Sequence, residues 1–268
     1  MRPIFKTAQR LDAILRCVPK LRSKVDSICV GYHQIQENFN YDAGTNGERW
    51  LLQTLAGQNR LATAFDVGAN HGDWAELVLA ANPGAAVHCF EICPPTFKKV
   101  STRLAGKSRV RLNDFGLSDA PGEIKLKYCP DGDGATTMFD VVMPMQVQTI
   151  NARVARSQDY CTGLGLNKID CLKLDVEGAE HLVLHGFGDL LQPDSIPVIQ
   201  FEYGTVNIVT KFLLKDFYAL FESRGYRVGK LFPDHVRFRE YRFEDEDFRG
   251  PNYIAASPRV VPLLAGRK

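Results

Sequence analysis

The feature that most limits how this chain can fold is a series of short apolar runs alternating with helical patterns. Residues 61–68, LATAFDVG, read as a buried strand closed by glycine, and residues 73–84, DWAELVLAANPG, read as a helix. Asp73 is placed to N-cap that helix, Glu76 completes a capping box, and NPG stops it. AAVHCFEI (85–92) is a second strand, TFKKVSTRLAG (96–106) a helix and RVRLNDFGLS (109–118) a third strand. KIDCLKLDVEG (168–178) and IPVIQFEYG (196–204) are the fourth and fifth, with AEHLVLHGFGDLL between them and LLKDFYALFESRGY after. Strands that alternate with helices pair in parallel and carry helices on both faces.

Two segments depart from that alternation. GEIKLKYC (122–129) and MPMQVQTI (143–150) alternate apolar with polar, as half-exposed strands do, around the loop PDGDGATT. They predict a β-hairpin inserted at the edge of the sheet over 121–150. YRVGKLFP (226–233) and PNYIAASP (251–258) have no helix between them, so they pair as an antiparallel hairpin. The expected architecture is α/β, a mostly parallel seven-stranded sheet spanning 46–257. Residues 1–45 precede it as a helical extension, and 258–268 follow as a tail.

In open α/β sheets, ligands bind outside the carboxyl ends of the strands. Acids stand there: Asp66, Glu91, Asp114, Asp175, Glu177 and Glu202. The turn after the first strand has the glycines Gly68 and Gly72, spaced G-x-x-x-G, and no Lys or Arg. A phosphate loop needs G-x-x-x-x-G-K-S/T, so that ligand is rejected. A dinucleotide turn is G-x-G-x-x-G, and the Asp66 carboxylate is a poor neighbour for pyrophosphate. It is a good neighbour for an ammonium or a sulfonium, and S-adenosylmethionine carries both. Glu91 would accept hydrogen bonds from ribose hydroxyls, a role it would also have in a nicotinamide enzyme.

FDVGANHGDW, FEICPPTF, GLSD, LKLDVEGAEHLVLHG, FEYG and NYIA together resemble the FkbM family of S-adenosylmethionine-dependent methyltransferases, from about residue 46 to 257. The resemblance implies a Rossmann-like class I methyltransferase fold and O-methylation of hydroxyls on sugars, glycolipids or macrolide-type products. It implies that Asp66, Gly68, Asn70 and Gly72 bind the methionine end of the cofactor and Glu91 the ribose. Leu117 and Ser118, beside Asp119, are expected near the adenine. The family reads F-E-P where this chain has Ile92 and Cys93 before Pro94.

Methyl transfer to oxygen is an in-line displacement that gains from a positioned base. Asp175 and Glu177 are expected to position and deprotonate the acceptor, with Glu202 third. Those three carboxylates offer oxygen ligands to Mg²⁺, but hydrogen-bonding to sugar hydroxyls accounts for them as well, and a metal is not favoured. His71, inside the glycine turn, is a candidate acceptor contact. His181 and His185 read as partly buried helix histidines, and Trp50 and Trp74 as packing. His235 lies in an arginine- and aromatic-rich stretch that could cover the acceptor, with the acidic run 244–247 as a solvated face. A nicotinamide oxidoreductase and a catalytically silent binding fold are the competing classes.

Net charge is +2, so no global field invites nucleic acid. Residues 1–26 nevertheless carry seven basic residues against two acidic, a local +5. Ile4, Ala8, Leu11, Leu15 and Val18 lie at helical spacing among them. That segment is expected either to pack on the outside of the domain or to touch a membrane surface or lipid-linked substrate. The seven cysteines, an odd number with no C-x-x-C pair, argue against a disulfide framework or a structural zinc site and point to a reducing cytosol.

Overall fold

An inner strand of the sheet, Thr63–Val67, is buried along four of its five residues. A strand covered on both faces loses the apolar–polar alternation, which is why it reads as a continuous apolar run. The computed structural model describes residues 3–130, 136–141, 146–249 and 251–266. Met1–Asn40 and Tyr41–Lys268 form two compact units. The first holds α1 (Pro3–Leu15) and α2 (Pro19–Gln36). Pro19 follows the first helix and opens the second, because in a first turn its missing N–H costs nothing.

The second unit opens with α3 (Glu48–Gly57), β1 (Thr63–Val67), α4 (Asp73–Ala81), β2 (Ala86–Phe90), α5 (Pro94–Arg103) and β3 (Val110–Asn113). Then come β4 (Gly116–Ser118), β5 (Gly122–Tyr128), β6 (Gln148–Arg156), α6 (Ser157–Gly163), β7 (Cys171–Leu174), α7 (Glu180–Gly186) and β8 (Val198–Glu202). The chain ends through α8 (Val206–Thr210), α9 (Leu214–Ser223), β9 (Arg227–Phe232), β10 (His235–Phe238), β11 (Asn252–Ala256) and α10 (Val261–Leu264).

The main sheet has the order β10-β9-β11-β8-β7-β1-β2-β3. The strands from β3 to β8 pair in parallel, and β11 lies antiparallel between β8 and β9. The expected pairing of 226–233 with 251–258 is therefore present, with Tyr253 opposite Lys230. The sheet has eight strands rather than seven. Pro233 and Asp234 reverse the chain directly after β9, and β10 adds to the outer edge.

Four expectations are corrected. The third apolar run divides, and its end, β4, joins β5 and β6 in a separate three-stranded sheet. The inserted hairpin therefore builds its own sheet instead of extending the edge of the large one. Its second strand starts at Gln148, and much of the expected loop and of 143–147 falls outside the described residues. The residues expected as a tail form α10, whose Leu264 is fully buried. Asp73 does not cap α4: Gly72 holds that position with no side-chain bond. Asp73 and Glu76 instead pair with Arg103 of α5 at 2.6 and 2.7 Å.

Alternate residues of each strand feed two cores. Phe65, Val67, Leu172 and Phe201 pack with Phe187, Phe217 and Phe221 on one side. Ala64, Cys171, Val198 and Ile254 pack with Leu51, Leu55, Trp74 and Val78 on the other.

Candidate active site

The ends of β1, β2, β7 and β8 meet at one edge of the sheet. After β1 the chain turns at Gly68, whose φ is +81°. The Gly68 and Ala69 N–H groups both donate to the Phe90 carbonyl at 3.0 Å. A Cβ on Gly68 would stand 1.8 Å from the Asp175 carbonyl oxygen, so this turn crosses directly over the end of β7. A Cβ on Gly72 would instead meet Val100 and Leu104 at 3.0 Å. The G-x-x-x-G spacing thus serves two packing contacts, one with β7 and one with α5. Of the two glycines, Gly68 lines the cavity beside the turn.

Gly68, Asn70, Glu91 and Asp175 form one side of that cavity, with Leu117, Ser118 and Glu177 further along it. Ile124, Leu126, Val154 and Met138 form an apolar wall. That wall comes from the second sheet and the segment between β5 and β6, and no local pattern marks it. Glu91 accepts the Asn70 N–H on one oxygen and the Cys93 N–H on the other, each at 2.8 Å. Burial pushes its carboxyl up to about 7 against those two bonds. Asn70 Oδ1 is buried without a hydrogen-bond partner. Buried acceptors in native folds are ordinarily satisfied, so a donor-bearing ligand fits this spot.

Asp66 lies beneath the turn, fully buried, and is not among the lining residues. Its Oδ1 is 3.3 Å from the Lys173 ammonium, which also bonds the Gly68 carbonyl at 3.3 Å and pairs with Asp175 at 3.1 Å. Burial raises Asp66 to about 6 although Lys173 pulls it down. Burial opposes the charge on Lys173, but Asp175 and Asp66 outweigh it and hold the ammonium protonated. Sequence reasoning missed Lys173. Its signal was a lysine inside an otherwise apolar strand, which is almost never buried unpaired.

Asp175, Glu177 and Glu202 each offer an oxygen within 4.8 Å of the others. Burial works against an ionised Asp175, yet Lys173 and a hydrogen bond from Glu202 keep it below the usual carboxylate range. Burial and the Asp175 charge drive Glu202 well above it, so the two carboxyls share one proton. Burial, then Asp175 and Glu180, push Glu177 up to about 8. Glu177 also has a left-handed backbone, φ +51°, unusual for a side chain of its size. Two clamps hold it there. The Thr137 hydroxyl donates to the Glu177 carbonyl at 2.7 Å, and Glu180 Oε1 accepts the Val176 and Gly178 N–H groups at 3.0 and 3.3 Å.

A second cavity adjoins the first, lined by Tyr41, Glu177, Glu180, Glu202 and Thr205. Burial and the charges of Glu202, Glu177 and Asp175 push the Tyr41 phenol up to about 12, so it remains a donor. The carboxylate trio could ligate a divalent cation, but the Lys173 ammonium on Asp175 already supplies positive charge there.

His71 does not line these cavities, and its carbonyl accepts from Arg103 at 3.2 Å. His181 stacks on Phe212 at 4.9 Å and His185 meets the same ring edge-on. His235 stacks on Phe232. The acidic run 244–247 is not a solvated face. Glu246 accepts from the hydroxyls of Tyr203 and Tyr241 and from the N–H groups of Leu214 and Lys215, and Asp245 is buried against Arg239.

The methyltransferase FkbM domain family matches residues 66–228. The 2-O-methyltransferase NoeI of Sinorhizobium fredii is 28% identical over 136 residues, 46% of this chain and 56% of that protein. The 31-O-demethyl-FK506 methyltransferase FkbM of Streptomyces tacrolimicus is 30% identical over 157 residues, 47% of this chain and 59% of that one. The chain thus spans little more than half the length of these curated relatives. Among solved structures, methyltransferase FkbM from Methylobacillus flagellatus superposes with a TM-score of 0.48 at 14% identity, over 73% of this chain and 44% of that one.

Proposed function

The chain belongs to the FkbM methyltransferase domain family, and on that premise we propose that it moves the methyl group of S-adenosylmethionine onto a hydroxyl of a sugar, glycolipid or polysaccharide precursor. The observation that carries this reading is the convergence of Asp175, Glu177 and Glu202, the first two of which line the cavity that Gly68, Asn70 and Glu91 also line. The cofactor supplies an electrophilic methyl on a sulfonium. Gly68 and Asn70 approach its amino-acid end, Asp175 faces its ammonium, Glu91 takes the ribose hydroxyls, and Leu117 and Ser118 flank the adenine. Asp66 acts from below, through Lys173.

Glu177 is the base. A carboxylate raised toward neutrality accepts a hydroxyl proton better than an ordinary one, and such a base contributes about 10²–10⁴-fold. Asp175 and the protonated Glu202 offer one acceptor and one donor to neighbouring hydroxyls. Three carboxyl groups, Glu177, Glu180 and Glu202, line the second cavity, and as hydrogen-bonding groups they suit a neutral, hydroxyl-rich acceptor. Oxygen as the methylated atom is supported by the names of both relatives, a 2-O-methyltransferase and a 31-O-demethyl-FK506 methyltransferase. Seven free cysteines suit a reducing compartment.

Calorimetric titration with S-adenosylmethionine, its demethylated product and NADH is the direct test. Binding of the first two and not the third is expected, followed by transfer of labelled methyl to neutral glycans in a panel. Glu177→Gln should keep cofactor affinity and lose turnover. Binding of NADH alone, or full turnover in Glu177→Gln, overturns the proposal.

A further inference from the structure

The helices α1 and α2 combine two properties that rarely serve a helix facing water alone. We propose that they dock on the surface of an anionic lipid bilayer. Leu21, Ile28, Tyr32 and Ile35 are all at least 48% exposed. Their spacing of i, i+7, i+11 and i+14 puts them on one stripe of α2. Ile4, Leu11 and Ile14 form a similar exposed stripe on α1, with Phe5 beside it.

Charge identifies the surface. Asp12 is consumed within the unit by Arg16 at 2.9 Å and Arg22 at 3.2 Å. Among the described residues, no carboxylate pairs with Lys6, Arg10, Lys20 or Lys24. Lys6 with Arg10 and Lys20 with Lys24 are like-charge pairs at i,i+4, which oppose helix formation in water. An anionic surface turns that repulsion into attraction. Lys24 sits between Leu21 and Ile28 in the sequence, one helical turn from each, so its ammonium flanks the apolar stripe. A lipid interface accepts both, the apolar stripe at the acyl boundary and the lysines at the headgroups.

Other occupants fit less well. A second copy would bring one segment of seven basic and two acidic residues against another. Nucleic acid would satisfy the charges and leave the apolar stripe in water. No described helix is long and apolar enough to cross a membrane, so the pair lies on the surface. This inference is independent of the proposed reaction.

The test is co-sedimentation of the full chain with phosphatidylcholine vesicles, with and without about one-third phosphatidylglycerol. Partition into the anionic vesicles should exceed that into neutral ones by about tenfold or more and fall as salt is added. Lys20→Glu with Lys24→Glu, and separately Ile28→Ser with Ile35→Ser, should each lower it by about tenfold, with helix content and melting temperature unchanged. Should either variant fail to fold, the lipid and salt dependence of the unaltered chain still decides. Equal partition into both vesicle types, or into neither, overturns the proposal. So does a lipid-free dimer that the isoleucine substitutions break.

Discussion

The Lys173 ammonium stands 3.3 Å from Asp66 Oδ1, both of them buried, and ties the first strand of the sheet to its neighbour directly below the glycine turn. Removing one member of a buried pair leaves the other charge without compensation. Lys173→Met should therefore destabilise the fold by about 3–5 kcal/mol in urea denaturation. Combining it with Asp66→Asn should recover only part of that loss, since Asp66 then carries no uncompensated charge while Asp175 still lacks its partner. A loss under about 1 kcal/mol in the single variant would mean the pair adds little beyond its packing.

Glu91 sets the pH dependence. Its folded carboxyl is pushed up to about 7 by burial, above its value in the unfolded chain. Between the unfolded value and about 7 the folded state holds a proton that the unfolded state has released, so this group's contribution to stability falls as pH rises through that window. Ribose hydroxyls donate to the ionised form, so cofactor affinity runs the other way. It should rise with pH up to about 7 and then level, with protons released on binding. Titration in buffers of different ionisation enthalpy measures that release, and Glu91→Gln should abolish most of it. A flat affinity profile would remove Glu91 from the ribose.

Gly68 and Gly72 look equivalent in the sequence but not in space. The Cβ of Gly68→Ala would run into the Asp175 backbone, which cannot yield without moving the carboxylate trio. That substitution should cost about 3–5 kcal/mol and weaken cofactor binding. Gly72→Ala would meet only side-chain carbons of Val100 and Leu104, so about 1–2 kcal/mol is expected, mostly from its left-handed backbone. Denaturation midpoints of the two variants rank the contacts, and equal losses would contradict the assignment.

The acids at the strand ends were legible because an apolar run followed by an acid marks the carboxyl edge of a parallel sheet. Asp175, Glu177 and Glu202 were grouped on that basis and lie within reach of one another. What stayed hidden depended on distant pairing. Ile124 and Leu126 alternate like any half-exposed strand, and nothing local shows that they face the cavity rather than the edge of the large sheet. Glu246 looked solvated because its four donors come from Tyr203, Leu214, Lys215 and Tyr241. Gly72 stands in the turn that the resemblance assigns to the cofactor, and the space left by its missing side chain is filled by Val100 and Leu104. Residues 113–116 bend between two sheets inside what reads as one apolar run.

Glu177 holds a left-handed backbone and a carboxyl raised by burial and by Asp175, and both features oppose stability. Strain of this kind persists where neighbours over-determine it, and here Thr137 and Glu180 do so. Glycine takes the same backbone conformation without steric cost. Glu177→Gly should therefore raise stability by about 1 kcal/mol while transfer falls by about 10²–10⁴-fold. Melting temperature and single-turnover transfer, measured on the same preparation, check both halves. A destabilised variant would mean that the Glu177 side chain makes a structural contribution larger than its strain. A stabilised variant with undiminished transfer would move the base elsewhere, to Asp175 or Glu202.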